Sequence, residues 1–150
     1  MALAPGTVAG LVPWLLTGWR AGHWWGPVRV LGLAPLLAGA WVLVHAFVRF
    51  VLDGLGTPAP IAPAEHLVVG GIYRYVRNPM YVAVVATIAG QALLLARPVL
   101  VAYALVAWLV MWAFARWYEE PALTGRFGAE YERYRHAVPG WWPRWRRWRG

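Results

Sequence analysis

Cysteine is absent from the sequence, which excludes disulfides, thiolate metal sites and a thiol nucleophile, and leaves the redox compartment unreadable. Lysine is absent too. All 14 basic residues are therefore arginine, whose guanidinium stays charged under physiological conditions and forks onto carboxylates and phosphates. Anionic lipid headgroups or an acidic ligand are the natural partners. Acids are scarce, six in all, so the formal net charge is +8. Charged residues make up only 13% of the 150, against 61% hydrophobic. That balance is too apolar for an ordinary soluble domain and suits a chain whose solvent is lipid. Twelve Trp and seven Tyr fit the same setting, because amphipathic rings settle where hydrocarbon meets headgroup.

A hydrocarbon core of about 30 Å needs roughly 20 apolar residues as a helix, and about 17 suffice. Four stretches qualify, at about residues 5–19, 30–52, 80–96 and 99–115. The first has no basic n-region and no soluble domain behind it, so it reads as a membrane element rather than a cleaved signal. Pro5, Gly6, Gly10 and Pro13 make it the most interrupted of the four. Arg97-Pro98 separates the last two, which form a helical hairpin, with Pro98 suited to a first turn whose N–H needs no partner. Asp53–Pro63 is dense in breakers and reads as loop. The expected fold is all-α: a polytopic membrane helix bundle of about four transmembrane helices, with a cytoplasmic C-terminal amphipathic helix. Residues 1–150 read as one membrane-embedded domain, with a loop at 53–79 and a tail at 116–150. Arg20, Arg29 and Arg97 fall on one side of this topology, while Arg74, Arg77 and eight tail arginines fall on the other. The positive-inside rule makes the richer side, with both termini, cytoplasmic. The loop before the third span and the tail after the fourth then share one membrane face.

Three constellations sit on that face. The first is Gly70-Gly71-Ile72-Tyr73-Arg74-Tyr75-Val76-Arg77-Asn78-Pro79-Met80-Tyr81. Its glycines permit close backbone approach, Pro79 biases Asn78 towards an extended conformation, and Arg74 and Arg77 flank a helix N-terminus that favours an anion. The second is Arg116-Trp117-Tyr118-Glu119-Glu120-Pro121. Adjacent carboxylates beside hydrocarbon repel each other and call for cationic or hydroxyl partners. On a helix they point about 100° apart, so only one faces a given pocket. The third is Phe127-Gly128 to Pro139, where Glu130 and Tyr134, and Tyr131 and Arg135, stand four apart on a short amphipathic helix read as an interfacial lid. The Trp/Arg run Trp141–Arg149 reads as an anchor on anionic headgroups, not as a nucleic-acid site or catalytic element. His23, His45, His66 and His136 lack metal-ligand spacing, so no metal is expected. His45 and Arg49 share a helical face and are candidates for substrate contact. His66 is the candidate proton acceptor.

Together these blocks resemble the isoprenylcysteine carboxyl methyltransferase and phospholipid methyltransferase family of integral membrane enzymes. The resemblance rests on Gly71 to Tyr81, Glu119-Glu120 and Phe127-Gly128 to Pro139, in that order around a helical hairpin, and covers residues 57 to 144. It implies S-adenosylmethionine as methyl donor, with S-adenosylhomocysteine as product, and a lipid-like acceptor entering from the bilayer. By the same analogy Gly71, Tyr73, Arg77, Asn78, Pro79 and Tyr81 border the cofactor, Glu119 and Glu120 give carboxylates to its polar groups, and Tyr131, Tyr134 and Arg135 close over it. Arg74, Arg77 and Glu120 are the catalytic candidates; His45, Arg49, His66 and Arg116 are the substrate-side candidates. The family often has His where this chain has Asn78 and Pro where it has Ile72. Asn hydrogen-bonds but does not titrate near neutral pH, so it offers no proton-accepting imidazole there.

Methyl transfer from a sulfonium is an in-line displacement that needs alignment more than a protein nucleophile, which suits a chain without cysteine. An acceptor carboxylate needs no base, whereas an amine must lose a proton; the residues leave both open. Two other readings stand beside this one. Membrane sterol reductases resemble the family's C-terminal half and use NADPH, but are generally longer, and this chain has little room for a sterol cavity with a dinucleotide site. A non-catalytic lipid-binding scaffold is the third.

Overall fold

The computed structural model describes residues 3–22, 26–54 and 66–149. Every regular element among them is helical. The N-terminal segment runs as α1 (Leu3–Gly6), a π-helical turn (Thr7–Leu11) and α2 (Val12–Thr17). It is followed by α3 (Gly26–Leu31) and α4 (Leu33–Gly54). A 3-10 turn at Gly71–Arg74 leads to α5 (Pro79–Leu95), then α6 (Pro98–Phe114), a second π-helical turn (Ala115–Glu119), α7 (Glu120–Phe127) and α8 (Ala129–Ala137). Pro79 and Pro98 each occupy a first helical position, where a missing N–H costs nothing. Of the breaker-rich stretch from Asp53, Asp53 and Gly54 complete α4; residues 55–65 lie outside the described residues.

Two helical runs, Arg29–Leu52 and Pro98–Phe127, are long and apolar enough to cross a bilayer. Only 17% and 22% of their most apolar windows are buried within the protein. Such apolar, outward surface calls for lipid as its solvent. Thr7–Thr17 and Pro79–Leu95 are shorter apolar helices.

The chain divides into two compact units, residues 1–43 with 81–110, and residues 44–80 with 111–150. The first is held by close helix contact through small residues. A Cβ on Gly90 would lie 2.5 Å from the Leu36 amide nitrogen and 2.8 Å from the Gly32 carbonyl; one on Gly39 would lie 2.6 Å from Thr87 Oγ1 and 2.8 Å from the Ala83 carbonyl. Contacts step from Gly32 to Gly39 as they step back from Gly90 to Ala83, so α4 and α5 run antiparallel, backbone against backbone. Tight packing of this kind replaces the hydrophobic drive that lipid-exposed helices lack. The π turn at Thr7–Leu11 also has partners here: Gln91 Nε2 donates to the Ala9 carbonyl at 2.6 Å and the Tyr103 hydroxyl to that of Val8 at 2.9 Å. A wide turn spares carbonyls from the helical ladder, and buried polar side chains take them up.

The second unit carries the polar blocks. Ala46 and Phe50 of α4 pack with Val68, Ile72, Tyr73 and Met80, seating the segment before α5 on the end of α4. Tyr131, Tyr134 and Val138 form another cluster with Leu67, Leu123, Phe127 and Trp148. The change of composition after Ala115 reads as a helix end, and Pro121 as its stop, yet the helix continues to Phe127. The π turn starts a new hydrogen-bond register, and Pro121 falls in the first turn of α7, where its lost donor is harmless. Gly128, at φ +49 and ψ −124, makes the corner into α8. A side chain at that positive φ would be strained.

Candidate functional site

The segment entering α5 is pinned from several directions. The Tyr73 hydroxyl reaches the Ala46 carbonyl at 3.5 Å, while the Tyr134 hydroxyl donates to the Tyr73 carbonyl at 2.6 Å. The chain beyond α8 then straps over it. The Arg77 and Asn78 amides donate to the Pro139 and Gly140 carbonyls at 2.9 and 3.1 Å, and those of Arg144 and Trp148 donate to the Tyr75 and Arg74 carbonyls at 3.0 and 3.1 Å. Arg144 also donates to the Ala137 carbonyl, and the Trp148 ring sits 5.3 Å from that of Tyr134. Four of the loop's backbone polar groups are thus satisfied by the tail.

At the centre stands Arg77. Its Nη1 donates to the Tyr131 hydroxyl at 2.9 Å and meets Glu120 Oε1 at 3.1 Å, with both charged side chains only 13% exposed. The other Glu120 oxygen receives Arg116 at 3.0 Å and faces Arg135 at 3.6 Å. Arg116 is 52% exposed, so its pair with Glu120 is a weak surface contact. Arg77–Glu120 is the buried one. Arg135 is shared with Glu132, 3.5 Å away, and Arg77 Nε is buried with no hydrogen-bond partner among the described residues. A buried donor without an acceptor is costly.

The family model for phospholipid methyltransferases matches residues 28–130. The chain belongs to the phospholipid methyltransferase family. Membership implies methyl transfer to lipid-like acceptors in membranes. A search of curated proteins finds no match to the chain. The phospholipid methyltransferase match takes in Arg77, Arg116 and Glu120; Tyr131, Tyr134, Arg135 and the strap follow it.

Elsewhere, the residues that the sequence singles out lie apart from this cluster or at its edge. Gly71, at φ +54, lies under the Arg49 side chain, whose Nε would be 3.1 Å from a Cβ there. His45 is half-buried one turn before Arg49 on α4. Arg74 and Asn78 are held through their main chains by the strap. Pro79 is fully buried and Glu119 half-buried. Tyr81 is in the first turn of α5 and belongs to the first unit. His66 is exposed and makes no polar contact among the described residues, so the structure does not bring it to the cluster. Sequence reasoning missed the strap. Gly140 is part of it, and a Cβ there would be 3.3 Å from Arg77 Nη2 and 3.4 Å from Asn78 Nδ2. Pro139-Gly140 is a turn signal, but nothing in the Trp/Arg run distinguishes Trp148, turned inward, from Trp142 and Trp145, turned out.

Two outcomes follow for this cluster. Tyr134→Phe removes the donor to a buried carbonyl while keeping the ring, and should lower stability by about 1–3 kcal/mol. Thermal unfolding in detergent checks it, and an unchanged midpoint would mean the loop does not depend on that bond. Burial raises the Tyr131 hydroxyl above the ordinary value of 10.0, against the opposing pull of Arg77, and raises Tyr134 further. Both stay protonated in the folded protein where the unfolded chain would ionise. Stability is therefore intact below pH 10 and declines as pH rises past it. Melting temperatures should fall as the pH rises above the ordinary tyrosine value of about 10, less steeply in the Tyr131→Phe/Tyr134→Phe double variant; parallel curves would count against these two tyrosines as the cause.

Proposed function

We propose that the protein transfers a methyl group from S-adenosylmethionine to a membrane-borne, lipid-like acceptor, at a site on the cytoplasmic face beside the Arg77–Glu120 pair. The carrying observation is that pair: a partly buried arginine and carboxylate from distant parts of the sequence, with Arg77 Nε left unpaired. A ligand bearing both a carboxylate and an ammonium group suits it. Arg77 Nε and Arg135 have donors for the carboxylate, Glu120 and Glu119 are acceptors for the ammonium, and Tyr131 and Tyr134 wall the place from α8. Gly71, Tyr73, Asn78, Pro79 and Tyr81 complete the cofactor-side set carried over from the family resemblance. When bound, S-adenosylmethionine supplies an electrophilic methyl on a sulfonium.

The chain's own residues orient and exclude. Arg74 and Arg116 align an acceptor carboxylate, or Glu120 takes the proton of an acceptor amine; His45 and Arg49 contact the acceptor near the end of α4. Burial of the Arg77–Glu120 pair keeps water away from the reacting centre. Asn78 holds or positions by hydrogen bonding and takes no part in proton transfer. Four membrane passes with both termini cytoplasmic accommodate this arrangement and the arginine distribution.

Calorimetry on the detergent-solubilised full chain is the test, with S-adenosylhomocysteine and NADPH as separate titrants. Binding of S-adenosylhomocysteine alone supports the proposal. Binding of NADPH alone would replace it with a reductase, and binding of neither with a lipid-binding scaffold.

A further inference from the structure

The strap has two sides. Its backbone faces inward and holds residues 74–78 through the four main-chain hydrogen bonds. Its other side presents Trp142 and Trp145, both almost wholly exposed, together with exposed Arg146, Arg147 and Arg149. No acidic residue follows Glu132 in the sequence, so this surface is purely cationic and aromatic. That combination complements phosphate-bearing headgroups, with the rings entering the acyl boundary and the cations meeting the phosphates.

We infer that the outward face of residues 142–149 docks on an anionic lipid surface, and that this docking tightens the strap and so raises ligand affinity at the Arg77–Glu120 site. The coupling rests on the cofactor reading above. Its route is short: the segment whose side chains meet the lipid bonds Arg74 and Tyr75 through its own main chain, and it follows directly on Pro139 and Gly140, which bond Arg77 and Asn78. A membrane that favours the closed strap lowers the ordering the loop must undergo when ligand binds. Lipid charge becomes a regulator of the enzyme without touching the cofactor.

The test uses the full chain in nanodiscs of phosphatidylcholine alone or with about one-third phosphatidylglycerol, a content that gives a strongly negative surface. Two readouts are taken: S-adenosylhomocysteine affinity, and amide hydrogen exchange at Arg77, Asn78, Arg144 and Trp148. The wild type should bind severalfold more tightly in the anionic discs and show slower exchange at the four amides. Both gains should shrink in high salt. The variant W142A/W145A/R146Q/R147Q, changed only at exposed side chains, should match the wild type in neutral discs and gain nothing from anionic ones. Equal exchange of the wild type in the two discs, or a full gain by the variant, would overturn the proposal. Inorganic phosphate or an RNA oligonucleotide reproducing the gain in neutral discs would overturn the assignment to a lipid surface. If S-adenosylhomocysteine bound in no disc the cofactor reading would fall, and the exchange measurement would still decide whether lipid charge tightens the strap.

Discussion

Glu120→Ala should weaken S-adenosylhomocysteine binding by at least about 30-fold, since truncating one partner of a buried, hydrogen-bonded charge pair costs about 2–5 kcal/mol. The change removes the one carboxylate shared by Arg77, Arg116 and Arg135. Among the described residues, Arg77 would then keep the Tyr131 hydroxyl as its side-chain partner, with Nε still unpaired. A fall in melting temperature is expected as well, so alanine alone does not separate binding from folding. Glu120→Gln does. It keeps the shape and an acceptor for Arg77 Nη1 but loses the charge that an ammonium group needs. Its melting temperature should stay near the wild type while affinity still drops at least tenfold, about 1.4 kcal/mol. Glu130→Ala, an exposed change on α8, should leave both alone. Wild-type affinity in Glu120→Gln would remove this carboxylate from the site.

Gly90→Val should cost about 3 kcal/mol or more, at or above the upper end of ordinary overpacking. The reason is the identity of the atoms in the way. A Cβ on Gly90 collides with the Leu36 nitrogen and Cα and with the Gly32 carbonyl oxygen, all of them main chain. A flexible side chain could swing aside; two helix backbones can only separate. Separation would also strip the small-residue contact that replaces hydrophobic drive between these helices. Gly125→Ala is the contrasting change, because no atom lies within 4 Å of the new Cβ. Within α7 it should be neutral or stabilising by up to about 1 kcal/mol. Thermal unfolding and gel filtration in detergent distinguish the two, and a Gly90→Val protein melting with the wild type would disprove the close α4–α5 contact.

The readable parts of the fold are those written in side-chain chemistry. Apolar stretches at 80–96 and 99–115 became α5 and α6 within a residue, because Pro79 and Pro98 mark helix starts by their own geometry. The stretch at 30–52 became most of α3 and α4. The first stretch, at 5–19, overlaps α1, the wide turn and α2, which together run over residues 3–17; that turn was illegible, because its partners Gln91 and Tyr103 stand some 80 to 95 residues away. In the site, Arg77, Glu120, Tyr131 and Arg135 stood out as scarce charges and regularly spaced rings, and the structure brings them together. The strap was invisible for a different reason. It acts through peptide N–H and C=O groups, which every residue carries alike, so an arginine-rich run that reads as an anchor gives no sign of what its backbone holds.

The wide turn at Ala115–Glu119 has a consequence for which acid does the work. One extra residue in a turn shifts everything after it by about 100° in angular phase. A straight α-helix of the same sequence would carry Glu119 into the place where Glu120 now meets Arg77. Two neighbouring acids are therefore not spares for one another, because the wide turn sets which of them reaches the position beside Arg77.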